Sequence, residues 1–130
     1  MTQENKELLL KDLCSRLPYG LKVKIGNHSY IVKGIDKKIN DEGNWVHCVC
    51  SYGLSPVEID FCKPYLFPKS SMTEEQKFEF DALQVKTLKS PYATPMECVT
   101  ILQWCYKNHI DIYGLIPMGL AIDATSKNIY

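Results

Sequence analysis

The stretch KPYLFPKSSMTEEQ, residues 63–76, most constrains the fold, because the hydrophobic period changes across it. Side chains before it alternate apolar and polar as in strands, and side chains after it repeat at helical spacing. Pro64 and Pro68 lack a backbone donor and fix φ, so neither is expected inside a paired strand. We interpret residues 63–72 as an extended hinge segment that joins a sheet to helices.

A helix start signal follows the hinge segment. The Thr73 hydroxyl can accept from the amide of Gln76 while the Gln76 side chain returns to the amide of Thr73, which is a capping box. This pattern predicts a helix over residues 73–85. The side chains that it is expected to bury are Phe78, Ala82 and Val85, with Phe80 and Leu83 at the margins.

A second start signal predicts a helix over residues 95–108. Thr94 is the expected cap, and Pro95 occupies the first helical position, where its missing donor costs nothing. His109 follows the last turn, where a partial positive charge would favour the helix dipole. The expected apolar stripe of this helix is Cys98, Ile101, Leu102 and Cys105.

The chain begins with a predicted amphipathic helix over residues 4–17. Pro18 and Gly20 end it, because proline cannot continue the ladder and glycine readily takes a left-handed turn. The i, i+3, i+4, i+7 spacing selects one apolar stripe. Its members are Leu10, Leu13, Cys14 and Leu17.

Residues 21–62 read as four short strands connected in sequence. The first is residues 21–25, and Gly26 and Asn27 give a two-residue hairpin signal before the second, residues 29–35. The remaining strands are residues 45–50 and 57–61, and the turns between strands are NDEGN, residues 40–44, and residues 51–56. Such strands form an antiparallel meander that must curl or be covered.

The sequence therefore predicts a single α+β domain over residues 1–130. Its sheet is expected to be a small antiparallel SH3-like barrel or a curled sheet of four to five strands, with an N-terminal helix and two C-terminal helices. Residues 109–130 are expected to form an extended tail that packs back on the domain. Residues 120–122 are expected to pair at a sheet edge.

Charge and hydropathy narrow the function classes. Fifteen basic and fifteen acidic residues cancel, so the whole chain has no long-range field for nucleic acid or anionic membranes. The longest apolar run is too short to span a bilayer, and no signal peptide opens the sequence. We expect a cytoplasmic protein whose six cysteines are reduced.

The cysteine and histidine side chains give little support for a metal site or a catalytic site. Cys48 and Cys50 share a strand face with His47 beside them and Cys62 later, but no C-x-x-C turn aims two sulfurs at one point. Reduced cysteines often fill cores. No established catalytic motif is present. We expect no metal, no cofactor and no enzymatic activity.

Two kinds of surface could bind a partner. Aromatic and apolar residues of the hinge segment and tail are the kind of anchors that protein interfaces use. Lysines of the first strands, together with Tyr30, could instead contact nucleic acid, although such lysines more often prevent edge-to-edge aggregation. The candidate binding residues are Tyr65, Phe67, Tyr113 and Met118 for a protein, and Lys22, Lys24, Lys33, Lys37 and Lys38 for nucleic acid.

Three blocks in order, ELLLKDLCSRLPYGLKV, KPYLFPKSSMTEEQ and HIDIYGLIPMGLAID, carry a resemblance. The chain resembles a family of small proteins of unassigned activity from phages, prophages and mobile elements of anaerobic gut bacteria of the Bacteroidales type. It departs from that family at Phe67 and Tyr113, where arginine is typical. The resemblance implies an accessory protein in the cytosol of a bacterial host, and it carries over no catalytic residues.

These observations favour a non-enzymatic accessory protein that binds a host or phage protein. Inhibition of a bacterial defence system is one form that such binding could take, by analogy with other small proteins of mobile elements. The alternative is a nucleic-acid-binding module that uses the basic first strands. It predicts binding that weakens steeply with salt.

Overall fold

The computed structural model describes residues 2–40, 43–50, 56–89 and 95–130, and their side chains outside 37–40, 43–47, 85–89 and 95–97. Some predicted features lie outside the described residues. They are the tip of the NDEGN turn, nearly all of the turn over residues 51–56, and the Thr94 cap with most of the linker before it.

The first helix, α1, spans Gln3–Arg16 and begins where the Thr2 side chain accepts a hydrogen bond from the Asn5 amide at 3.1 Å. The predicted helix is confirmed, but the predicted stripe is wrong. Cys14 is exposed, and the buried face is rotated by one residue, or about 100°. The residues buried on this face are Leu9, Asp12, Leu13 and Arg16.

Six strands form one sheet over the described residues, in the order β4-β3-β2-β1-β5-β6. All neighbouring strands are antiparallel except β5 and β6, which are parallel. The strands are β1 Lys22–Ile25, β2 His28–Asn40, β3 Gly43–Cys50, β4 Val57–Glu58, β5 Lys63–Leu66 and β6 Ile122–Asp123.

The α+β class and the antiparallel meander are confirmed, but the sheet is not closed into a barrel. Strands β4 and β6 form its two edges. Ile25 pairs with His28 across the predicted two-residue turn, in which Gly26 takes φ 62°. Glycine adopts this left-handed conformation without a steric penalty.

The hinge prediction is wrong for residues 63–66, which form the inner strand β5. Pro64 pairs with Val23 of β1 and is fully buried. Strand β6 begins only opposite Tyr65, so Pro64 sits at a position where β6 offers no ladder partner. A proline is tolerated in a strand where its N–H would be unpaired. The sheet therefore continues through the segment that was expected to end it.

The predicted fourth strand is also only partly correct. Val57 and Glu58 pair with β3, but Ile59–Phe61 forms a 3-10 turn. The turn buries Ile59 and leaves Phe61 64% exposed. Alternation of apolar residues over so short a segment does not distinguish a strand from a turn of this kind.

Helix α2 spans Glu74–Lys89 and helix α3 spans Pro95–Lys107. The predicted capping box is confirmed, because the Gln76 amide donates to Thr73 Oγ1 at 3.1 Å and the Thr73 amide donates to Gln76 Oε1 at 3.0 Å. The predicted buried face of α2 is wrong at Phe78, which is 76% exposed, and at Ala82, which is exposed, while the Val85 side chain lies outside the described residues. The stripe predicted for α3 is buried only at Cys105. None of the described helices is long and apolar enough to cross a membrane.

The tail packs back on the domain, as predicted. Leu115 and Ala124 are fully buried, and the Ala124 amide donates to the Leu66 carbonyl at 2.8 Å. Ile122 pairs in parallel with Tyr65, so the tail supplies the edge strand β6. The main core lies between α1, the sheet and the turns of the tail, and a smaller core joins Met72, Cys105 and Ile110.

Candidate functional site

The structure brings three of the predicted binding residues together around Tyr130. The Lys22 amide donates to the Tyr130 hydroxyl at 3.0 Å, and that hydroxyl donates to the Tyr65 carbonyl at 2.9 Å. The Phe67 and Tyr130 rings have centroids 6.0 Å apart. We call these residues, together with His109, the Tyr130 cluster.

The Tyr130 cluster holds the tail onto the sheet. The Lys22 ammonium donates to the Ile129 carbonyl at 2.6 Å and lies 5.8 Å from the centroid of the Tyr130 ring. Tyr65 is only 5% exposed, so the expectation that it is an exposed anchor is wrong. Within β5, Pro64, Tyr65 and Leu66 are buried, whereas Lys63 is exposed.

His109 stacks on Tyr130 with ring centroids 3.8 Å apart and an angle of 11° between the rings. Burial and, to a smaller extent, the nearby Arg16 and Lys22 charges together lower the pKa of His109 to about 4. The ring is therefore neutral at pH 7, which contradicts the expected positive charge at the helix end. His109 instead ends α3 through its left-handed backbone, φ 58°, with the Ile110 amide bonded to the Cys105 carbonyl.

A fully buried ion pair underlies this cluster. Arg16 Nε and Nη2 each donate to a different oxygen of Asp12 at 2.9 Å, and neither side chain is exposed. Arg16 Nη2 also donates to the Ile110 carbonyl at 2.6 Å. Burial raises the pKa of Asp12 above its ordinary value, and the Arg16 guanidinium opposes that rise. The pair joins α1 to the start of the tail.

Asp111 fixes the next turn of the tail. This buried carboxylate accepts the amides of Leu115 at 2.9 Å and Ile116 at 3.0 Å. These bonds satisfy donors of a segment that has no regular secondary structure. The tail is therefore held by buried charge as well as by apolar packing.

The cysteines of the sheet are core thiols. A hydrogen bond with Cys62 and then burial raise the pKa of the Cys48 thiol. Burial raises the pKa of the Cys50 thiol to about 11. Because the thiolate is the nucleophile and the metal ligand, both changes reduce reactivity at neutral pH. No group of three or more His, Cys, Asp or Glu side chains that could hold a metal ion occurs in the described part of the chain.

The other predicted binding residues lie apart from the Tyr130 cluster. The Tyr113 hydroxyl is 3.2 Å from that of Tyr106, and Met118 is 45% exposed in a turn of the tail. Lys24 and Lys33 are exposed. The side chains of Lys37 and Lys38 lie outside the described residues. Lys24 and Lys33 therefore remain candidates for binding nucleic acid, whereas the Lys22 side chain is bonded to the tail.

An exposed apolar groove lies between α2 and α3. Phe78 and Ala82 form one ridge of α2, Glu79 and Leu83 form the neighbouring ridge, and Trp104 of α3 forms the opposite wall. The groove encloses about 310 Å³. We call this feature the helical groove.

Trp104 connects the helical groove to the smaller core. Its indole Nε1 donates to the Glu79 carboxylate at 3.0 Å, and its ring lies 5.5 Å from that of Phe80. Both rings pack against the core that contains Met72. Trp104 is therefore held in place by this core while its ring also lines the groove. The groove thus has a fixed wall.

Carboxylates surround the α2 side of the helical groove. Glu74 and Glu75 lie one turn before Phe78 and Glu79, and Asp81 lies almost one turn after Phe78. All are exposed. Lys77 lies among them, with its ammonium 3.4 Å from Glu74, and Lys86 follows Ala82 by about one turn of the same helix. We call these three carboxylates and Glu79 the acidic rim.

Sequence reasoning placed Phe78 in the core and gave Trp104 no role. Phe78 and Phe80 are two residues apart, which is about 200° around a helix, so one helix face cannot bury both. The structure turns Phe80 inward and Phe78 outward. This spacing predicts that one of the two phenylalanine side chains is exposed.

No protein-family model matches this sequence, and searches of curated proteins and of solved structures returned no significant match. The family resemblance drawn from the three sequence blocks stays a prediction.

Proposed function

We propose that this chain is a non-enzymatic protein-binding module whose contact surface is the helical groove. The observation that carries the proposal is the exposure of Phe78, at 76%, beside an apolar groove with a fixed tryptophan wall. Large aromatic side chains in such positions are typical anchors of protein interfaces, with polar groups at the rim. Burial of Phe78 by a partner would remove its apolar surface from water.

The biological setting of the proposal comes from the sequence blocks. Their resemblance supports an accessory protein of a phage or mobile element that works in the cytosol of its bacterial host. Its partner would be a host or phage protein, and inhibition of a defence system is the form of action that we propose. A nucleic-acid role is less well supported, because Lys22 is engaged by Ile129 and the acidic rim repels phosphate.

A pull-down with a matched control tests the proposal. The tagged full chain, its Phe78→Ser variant and its Phe61→Ser variant are incubated with lysate of the bacterium that carries the gene. Phe61 is a suitable control because it is 64% exposed but belongs to the turn after β4. We expect the wild type and Phe61→Ser to retain one stoichiometric protein that Phe78→Ser loses. Equal capture by all three chains, or no stoichiometric partner, would refute the proposal.

A further inference from the structure

We infer that the helical groove accepts an amphipathic helix of a partner protein whose polar face is basic. The inference rests on the proposed function and specifies the partner for the same surface. It combines the shape of the groove with the charge of its rim.

The shape of the groove favours a helix. A groove between two packed helices accepts the apolar face of a third helix, which inserts anchors at i, i+3 or i+4, and i+7 spacing. The volume of about 310 Å³ is small, and its walls are Phe78, Ala82, Leu83 and Trp104. It suits one or two apolar side chains of a continuous segment better than a large folded surface.

The acidic rim selects the polar face of that helix. Four carboxylates flank the groove, and Glu79 is already bonded to Trp104 at 3.0 Å while Lys77 lies beside Glu74. Glu75 and Asp81 are exposed at the surface. Lysine or arginine side chains beside the apolar anchors would meet complementary charge, which speeds association and suppresses wrong partners.

The same charge argues against other occupants. A second copy that used this face symmetrically would bring two acidic rims together, since a two-fold interface pairs a patch with itself. An anionic membrane surface attracts basic segments and would repel the rim. Nucleic-acid phosphates would be repelled for the same reason. A basic segment of a protein is the occupant that fits both the groove and its rim.

A displayed library of random peptides tests the inference without knowledge of the partner. The full-length chain is the bait, and peptides that bind the support without the chain are removed before each round. We expect the enriched peptides to carry apolar residues at helical spacing with lysine or arginine between them. They should bind wild type and Phe61→Ser alike and bind Phe78→Ser at least about tenfold more weakly.

A charge variant separates the rim from the groove. Glu75→Lys combined with Asp81→Lys should weaken the enriched peptides by about tenfold, whereas Glu4→Lys combined with Glu7→Lys, two exposed acids of α1, should leave binding unchanged. Enriched peptides that are acidic, lack helical spacing or ignore the charge reversal would overturn the inference. A failure to enrich any peptide, or Phe78-dependent self-association in sedimentation, would also overturn it.

The two experiments fail in different ways. Phe78-dependent capture from lysate without basic helical peptides would leave the proposed function standing and refute this inference. Basic helical peptides without any partner in lysate would support the preference of the groove and refute the proposed cellular role.

Discussion

The Tyr130 cluster and the helical groove both consist of aromatic residues beside charged groups, yet they differ in how those residues are covered. Around Tyr130, residues far apart in sequence form hydrogen bonds with one another. The Lys22 amide donates to the Tyr130 hydroxyl, and that hydroxyl donates to the Tyr65 carbonyl. In the groove, Trp104 is bonded to Glu79, but Phe78 stays 76% exposed. Tyr130 is itself 43% exposed, so the comparison teaches that hydrogen-bond partners, rather than residue type, separate a structural aromatic cluster from a candidate binding surface.

The same contrast applies to charge. The Asp12–Arg16 pair is fully buried and bonded to the tail, whereas the acids of α2 are exposed beside apolar side chains. In the buried pair, removal of either side chain would leave the other charge in the core without its partner. Among the exposed acids, Glu79 is bonded to Trp104 and Glu74 lies beside Lys77, so our proposal assigns the contact with a partner mainly to Glu75 and Asp81. Four predictions test this division, in decreasing order of expected effect.

The largest effect is expected for Arg16→Met, which leaves the Asp12 carboxylate buried without its partner. We expect the free energy of unfolding, measured by urea denaturation, to fall by about 3–5 kcal/mol. Lys6→Met is the matched control, because it breaks the 3.2 Å ion pair with Asp60, whose members are 39% and 30% exposed, and should cost at most about 1 kcal/mol. Equal losses in the two variants would contradict the division.

The second effect is a pH dependence from His109. Its pKa is lowered to about 4 from 6.5, so between these pH values the unfolded chain binds a proton that the folded protein does not. The free energy of unfolding therefore falls as the pH is lowered through this window, by about 1–2 kcal/mol after allowance for partial exposure.

His109→Asn should remove this contribution. Asparagine tolerates the left-handed backbone at φ 58° but does not titrate. Urea denaturation of both proteins at several pH values from 7 to 4 measures the difference. Contributions from Asp12 and the other carboxyl groups are common to both proteins. If the free energies of unfolding of the two proteins changed in parallel with pH, the pKa of His109 would not be lowered in the folded protein.

A smaller effect is expected for Tyr130→Phe. The change removes the hydroxyl that links the Lys22 amide to the Tyr65 carbonyl while it keeps the ring stacked on His109. We expect a loss of about 1 kcal/mol in thermal or urea unfolding. Tyr30→Phe removes a hydroxyl from a half-buried position on β2 and is the control. A loss in Tyr30→Phe that matches the loss in Tyr130→Phe would argue against a role for the linking hydroxyl.

The smallest effect on stability is expected for Phe78→Ser. Because the ring is exposed, its removal should change the free energy of unfolding by no more than about 0.5 kcal/mol. Leu13→Ala, in the fully buried core of α1, should cost about 2–5 kcal/mol in the same assay. A loss above about 2 kcal/mol in Phe78→Ser would place Phe78 in the core and remove the basis of the proposed function.

Local signals in the sequence predicted the elements well, and long-range contacts explain the errors. The capping box at Thr73 and the turn at Gly26 each depend on a few adjacent residues, and both are confirmed. Pro64 lies in an inner strand because a parallel strand begins at Ile122, opposite Tyr65. These two residues are more than fifty positions apart in the sequence. Such pairing has no local signature.

The buried face of α1 was mispredicted for a similar reason. A polar pair at i, i+4 reads as solvent-facing, but Asp12 and Arg16 satisfy each other and the Ile110 carbonyl inside the core. The sequence predicts binding surfaces on the hinge segment and the tail, whereas the helical groove is formed by the packing of α2 and α3, which leaves Phe78 exposed. The charge of the acidic rim was visible in sequence, and only the fold showed what it surrounds.

Site-specific photo-cross-linking in the cells that carry the gene tests the central claim most directly. Phe78 is replaced by p-benzoylphenylalanine in one chain, and Phe61 is replaced in a control chain. We predict that irradiation gives one discrete cross-linked protein from position 78 and none from position 61. Identical patterns from both positions, or a product from position 78 that contains only a second copy of this chain, would contradict the account.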